Sequence, residues 1–231
     1  MIETIKKYRI FIGFFLLFSV ITISLFYSVL KPKKSLMIYN PSDVNPELVD
    51  STVQYIAKNH TIADFKFTNQ NGKTITQKDY EGKIYVADFF FTTCPTICPK
   101  MTNNMVWLQD QIKNNPKVML LSHSVTPDID SVPVLKKYAL EKGVIDSKWN
   151  LVTGKKSDIY YIARKSYLAV KTGKPEELYD MVHTENFVLV DSKRRVRGFY
   201  DGTNLDGPTE PGVKNVKTLL QDILFLCEEE K

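Results

Sequence analysis

The sequence predicts an α/β domain: a mixed sheet with helices on both faces and an N-terminal β-hairpin, preceded by one transmembrane helix. Three observations carry this. Ile10 to Leu30 is an uncharged run rich in Phe, Ile and Leu, about the 20 residues needed to cross a hydrocarbon core. Phe65-Lys66-Phe67-Thr68 and Lys73-Thr74-Ile75-Thr76 alternate around Asn69-Gln70-Asn71-Gly72, a hairpin signal. From Tyr85 onward, short apolar runs alternate with amphipathic segments, the pattern of strands crossing over through helices.

Residues 1–9 form a short tail before the anchor at 10–30. A cleavable leader has a shorter apolar region and a small-residue cleavage site, whereas Ser24-Leu25-Phe26-Tyr27-Ser28 is mostly large. An uncleaved anchor is expected. Residues 31–59 read as a stalk, broken by Pro32, Pro41 and Pro46, with the domain running from 60 to 231. After the hairpin, Asp79-Tyr80-Glu81-Gly82-Lys83 turns into the central strand, Tyr85 to Phe91. Met101, Met105, Leu108 and Ile112 then share a helical face. Val118 to Val125 is a second strand. Asp130-Ser131 caps a helix ending at Gly143. Trp149–Val152 is a short strand, Ser157–Val170 a helix, Phe187–Val190 and Val196–Tyr200 a strand pair, and Val213–Cys227 the last helix.

The net charge of +5 is local. Lys6, Lys7, Arg9, Lys31, Lys33 and Lys34 outnumber the single acid Glu3 by five before residue 35, which accounts for the whole excess. The remainder is neutral. Nucleic-acid binding draws on clustered excess positive charge, so no nucleic-acid partner is expected. Three basic residues flank the apolar run on each side, so the positive-inside rule leaves its orientation open. The cluster Lys193-Arg194-Arg195 with Arg197 reads as a solvated hairpin turn.

The chemistry centres on Cys94 and Cys98 in Phe91-Thr92-Thr93-Cys94-Pro95-Thr96-Ile97-Cys98-Pro99. The pair lies between the central strand and a helix start, with Pro99 suited to the first turn. Exposed N–H groups and the positive end of the helix dipole favour thiolate there. Thiolates select Cu(I), Zn(II) or iron–sulfur clusters. Two thiolates underfill a zinc site, and no second cysteine pair exists. A dithiol plus one histidine suits copper, as Cu(I) or Cu(II). Of the three histidines, His183 follows a turn-rich loop and precedes a strand, where it can close on a metal or simply lie at the surface. His123 lies within a strand and reads as a hydrogen-bonded histidine. His60 reads as a surface residue. Cys227, at the end of the last helix, reads as a small buried hydrophobe, and Met101 and Met105 as core.

At these residues the chain resembles the Sco/SenC family of membrane-anchored copper proteins. The resemblance rests on the Cys94–Cys98 loop, on His183-Thr184 before a strand, and on Val125-Thr126-Pro127-Asp128-Ile129-Asp130-Ser131 after the second strand. It covers roughly residues 60–227. One departure is Thr126, where many members carry Asp. The resemblance implies a thioredoxin-like fold and a metal set of Cys94, Cys98 and His183. It implies copper delivery to the copper A centre of cytochrome c oxidase subunit II. The anchor would then hold the domain at the outer face of a bacterial inner membrane, in the periplasm, or in the mitochondrial intermembrane space. The alternative is a thiol–disulfide oxidoreductase, with Cys94 and Cys98 as a redox pair that reduces the oxidase cysteines and is itself served by a thiol reductant. A peroxidase is disfavoured by the second loop cysteine. A purely stabilising disulfide is disfavoured because so short a loop removes little chain entropy.

Overall fold

The computed structural model describes residues 2–30, 35–168, 170–172, 181–183 and 185–230. The chain divides into two units between Ser35 and Leu36. In the first, α1 (Ile2–Leu30) is one continuous helix. Its stretch Tyr8–Ser28 has a mean hydropathy of 2.4 over 21 residues and buries none of its side chains within the protein. Among the described residues it is the one helix long and apolar enough to cross a membrane.

The second unit is built on a seven-stranded sheet in the order β2-β1-β5-β4-β3-β8-β9. The strands are β1 (Lys66–Asn69), β2 (Thr74–Thr76), β3 (Ile84–Phe90), β4 (Val118–Ser124), β5 (Trp149–Thr153), β8 (Asn186–Val190) and β9 (Val196–Asp201). β3, β4 and β5 run parallel, joined through α2 (Ile97–Ile112) and α3 (Val132–Lys142). β1 and β8 flank this core antiparallel. The predicted hairpin is β1–β2, with Phe67 opposite Ile75. Gly143 ends α3 at φ 72°, a left-handed cap that a Cβ would oppose. α4 (Lys156–Lys165) and α5 (Val216–Glu229) complete the helices. A separate two-stranded ribbon, β6 (Val170–Thr172) and β7 (Met181–His183), lies between α4 and β8 in the chain.

β3 is buried along its whole length, as a run that is apolar but for Asp88 requires for a strand covered on both sides. Successive side chains point to opposite faces. Phe90 meets Tyr138 of α3 with ring centroids 5.6 Å apart, and Phe89 meets Tyr167 beyond α4 at 5.6 Å. Helical segments therefore cover both faces, as the sequence predicted.

Several expectations need correction. The compact unit begins at Leu36, so much of the segment read as a stalk is drawn onto the domain. The tether is made by Arg194 and Arg197 of the basic cluster, which are drawn in from solvent, whereas Lys193 is exposed. Arg197 is 3% exposed. Its guanidinium donates to the Leu36 carbonyl at 2.9 Å, the Met37 carbonyl at 3.2 Å and Asp191 Oδ2 at 2.9 Å. Arg194 donates to the Ile62 carbonyl and pairs with Asp64 at 2.9 Å. Backbone carbonyls from the N-terminal segment and the buried Asp191 carboxylate thus replace the water these cations would otherwise hold. His60 is buried as well, its Nε2 donating to the Ser166 carbonyl at 2.8 Å. α2 begins at Ile97, so Cys98 is inside the helix rather than in the loop before it.

Candidate metal centre

Cys94 follows the C-terminal end of β3, a central strand, where the chain turns into α2. Thr96, the residue before the helix, makes no side-chain cap. Cys94 does that work instead: its Sγ accepts the Cys98 N–H at 3.4 Å. A helix N-terminus leaves its first N–H groups without intrahelical partners, and here one of them is aimed at sulfur. The Thr96 hydroxyl lies 3.8 Å from the same sulfur. Both cysteines are buried, Cys94 to 7% exposure and Cys98 to 1%, and both are thiols.

The two sulfurs are electrostatically unlike. Burial opposes ionisation of Cys94, but hydrogen bonds from the Cys98 thiol, the Cys98 and Thr96 N–H groups and the Thr96 hydroxyl outweigh it. They hold Cys94 below the ordinary thiol value. Burial pushes the Cys98 thiol well up, and its donated hydrogen bond to Cys94 keeps the proton on it. One sulfur is a nucleophile and the other a proton-bearing partner.

Asp130 fixes the loop. It is fully buried. Its Oδ1 accepts the Thr92 hydroxyl at 2.5 Å, and its Oδ2 accepts the Ser124 hydroxyl at 2.6 Å and the Thr126 hydroxyl at 3.1 Å. The Thr92 N–H reaches Oδ2 at 3.3 Å. One carboxylate therefore ties the thiol loop, the end of β4 and the turn before α3 together. Thr126 belongs to this knot as a donor, a role open to a hydroxyl but closed to an ionised Asp.

Asp88 is a second carboxyl, one that sequence reasoning missed. It is 3% exposed on β3, and among the described residues no hydrogen bond reaches its Oδ1. Burial pushes its pKa up to about 7, against a stabilising hydrogen bond from Ser122. Its charge acts on Cys98 and on Tyr138, raising both, so it lies within electrostatic reach of the thiol pair. The signal was present in Tyr85-Val86-Ala87-Asp88-Phe89-Phe90: one acid inside a run of strand apolar residues.

The histidines separate. His123 is fully buried among Phe65, Phe67, Phe89 and Tyr167. Its Nδ1 donates to the Asp88 carbonyl at 3.3 Å, as expected of a hydrogen-bonded histidine, and burial lowers its pKa to about 4. His183 is the last residue of β7, opposite Val170, and so lies on a ribbon strand rather than in a loop. Its side chain is outside the described residues, and among those described no third His, Cys, Asp or Glu joins the thiols in a metal-sized cluster. Cys227 is half-buried, with its sulfur accepting from Asn115 Nδ2 at 3.4 Å. Met101 and Met105 are core, as predicted.

A buried dithiol with one depressed and one elevated pKa is suited to soft-metal binding and to thiol exchange. The chain matches the SCO1/SenC family model over residues 53–221. It is 35% identical to the SCO1 protein homolog of Bacillus subtilis over 162 residues, spanning 69% of this chain and 83% of that protein. The fold is similar to that of BsSco, a member of the Sco family of cytochrome c oxidase assembly proteins in which a disulfide switch was identified. That match has a TM-score of 0.59 and 32% identity, covering 72% of this chain and 92% of the other. It is also similar to Arabidopsis thaliana ScoI with copper bound, with a TM-score of 0.56 and 25% identity over 72% of this chain and 98% of that one.

Proposed function

The chain belongs to the SCO1/SenC family, and from that premise we propose that it binds copper through Cys94, Cys98 and His183 and carries it to the copper A centre of cytochrome c oxidase subunit II. The observation that carries this reading is the buried dithiol at the strand–helix junction, with the Cys98 N–H on Cys94 Sγ. Copper is the cargo. The two thiolates supply soft donors, and the His183 imidazole of the β6–β7 ribbon supplies a borderline third. Binding must displace the Cys98 proton, so loading is coupled to proton release. The Tyr8–Ser28 helix anchors the chain, with the domain on the periplasmic or intermembrane-space side. The test is a copper titration of the full-length chain in detergent with reduced thiols. We expect about one copper per chain for a single such ligand set, lost in Cys94→Ser and weakened in His183→Ala. Unchanged stoichiometry in Cys94→Ser refutes the assignment.

The unlike thiols favour a second reading, thiol–disulfide exchange with the oxidase cysteines. Cys94 thiolate attacks the partner disulfide and forms a mixed disulfide, releasing one partner thiolate. Cys98 gives up its proton and attacks Cys94 sulfur, releasing the second. The partner gains two electrons, the pair becomes a disulfide, and an external dithiol reductant returns it. This route leaves His183 dispensable. Oxidase assembly that persists in His183→Ala while copper binding fails selects it over delivery.

A further inference from the structure

Gly202 sits immediately beyond β9 and joins two parts of the chain that carry proposed copper ligands. Its N–H donates to the Glu185 carbonyl at 2.7 Å, extending the β8–β9 ladder one step past the Asn186–Asp201 pair. Its carbonyl accepts Asn104 Nδ2 at 2.7 Å. Asn104 lies on α2, six residues after Cys98, about 9 Å along the same helix. Glu185 lies two residues after His183, a reach of at most about 7 Å. Asn104 is 8% exposed, a buried amide on a face otherwise formed by Met101, Met105 and Leu108. A hydrogen-bonded line therefore runs from the cysteine-bearing helix, through one glycine, to Glu185 at the entry to β8, two residues past the end of the His183 strand.

The glycine has no room to change. A methyl group there would stand 2.9 Å from the Glu185 carbonyl oxygen and 2.8 Å from Phe187 Cε1. The first is backbone and can yield only by moving the chain at Glu185, two residues from His183. Metal–ligand distances tolerate about 0.2 Å, so a displacement of a few tenths of an ångström at Glu185 is large on the scale of the site.

We propose that Asn104 and Gly202 are positioning residues: a strut that sets His183 against the Cys94–Cys98 pair. This rests on the reading of His183 as the third copper ligand. The strut touches neither metal nor sulfur, and it acts only through His183.

That exclusivity supplies the test. Asn104→Ala and Gly202→Ala are made in the full-length chain, each with His183 intact and with His183→Ala. Copper affinity is measured in detergent by competition with a chromophoric chelator, and Cys94 alkylation and thermal unfolding are followed in parallel. With His183 intact, each variant is expected to weaken copper binding about tenfold, a coupling of the size seen between residues that share one structural element. With His183→Ala, the same changes should move affinity less than about twofold, since there is no imidazole left to misplace. Cys94 alkylation should stay at the wild-type rate in every variant. Equal losses in both backgrounds, or slowed alkylation, place the effect in the fold or the thiols and overturn the strut. Unchanged affinity in Asn104→Ala and Gly202→Ala, while His183→Ala alone weakens binding, removes the strut and keeps the ligand. A His183→Ala chain that binds as tightly as wild type removes the ligand assignment and the strut with it.

Discussion

At pH 8 the Asp88 carboxylate is ionised inside the central strand, and replacing it with Asn should stabilise the domain. In the fold its pKa is about 7 against an ordinary 3.8. A raised carboxyl pKa gives stability that is complete below the unfolded value and is lost as pH rises through the folded one. Roughly three pH units at about 1.4 kcal/mol each make about 4 kcal/mol of destabilisation by pH 8. The Asp88→Asn change removes the charge but still buries an amide where one carboxyl oxygen has no hydrogen-bond partner among the described residues, at a cost of about 1–2 kcal/mol. The net expectation is about 2–3 kcal/mol of added stability at pH 8. His123 hides part of this effect. Its folded pKa of about 4 lies below the ordinary 6.5, so its contribution is present above pH 6.5 and is lost as pH falls toward 4. Between those values the two slopes oppose each other, and the wild-type profile should be nearly flat. Asp88→Asn leaves the His123 slope exposed, so the variant's stability should climb through that window and then level off. Urea unfolding of residues 36–231 with reduced thiols, at half-unit steps from pH 4.5 to 8, reads both features. A variant no more stable than wild type at pH 8, or one whose profile parallels wild type throughout, refutes the assignment of a charged Asp88 in the native state.

Three other outcomes are expected. Iodoacetamide at neutral pH should label Cys94 and spare Cys98, because the first thiol is held below its ordinary pKa and the second far above it; peptide mass spectrometry showing the reverse order contradicts the assigned roles. Thr92→Val deletes the 2.5 Å bond to Asp130 and should cost about 1.5–3 kcal/mol, the range for a hydrogen bond to a charged group, whereas Thr92→Ser keeps the hydroxyl and should restore both the melting temperature and the Cys94 alkylation rate. Arg197→Ala should leave the Asp191 carboxylate buried without its most deeply buried cation, destabilising the domain by about 3–5 kcal/mol and opening residues 36–60 to proteolysis; an unchanged cleavage pattern would mean the N-terminal segment is held by other contacts.

Sequence periodicity located the strands and helices because their burial is one-dimensional. A run such as Tyr85–Phe91, apolar but for Asp88, has few alternatives to a strand covered on both faces, and Asn71-Gly72 between alternating runs has few alternatives to a hairpin. The membrane-length helix was equally legible, since length and hydropathy are properties of the string. The thiol pair was legible because Cys94 and Cys98 are close in sequence and their chemistry depends on local backbone: a strand end and a helix start.

What the string concealed is everything made by residues far apart in it. Arg194 and Arg197 read as solvated because a charged hairpin turn is ordinarily hydrated, yet Ile62 and Leu36 meet them once the N-terminal segment folds back. His60 read as a surface residue for the same reason, its partner being Ser166. Asp130 and Thr92 are separated in the chain by α2 and β4, and Asn104 meets Gly202 only where α2 passes the end of β9. The amino-acid sequence by itself determined the membrane-length helix, the two sulfurs and most secondary elements, but not the β6–β7 ribbon, whose Val170 it read as the end of a helix. The tertiary structure alone decided which sulfur keeps its proton, which carboxylate knots the loop and which glycine links the cysteine-bearing helix to the start of β8, because those properties arise from desolvation and long-range hydrogen bonds that exist only once the chain is folded.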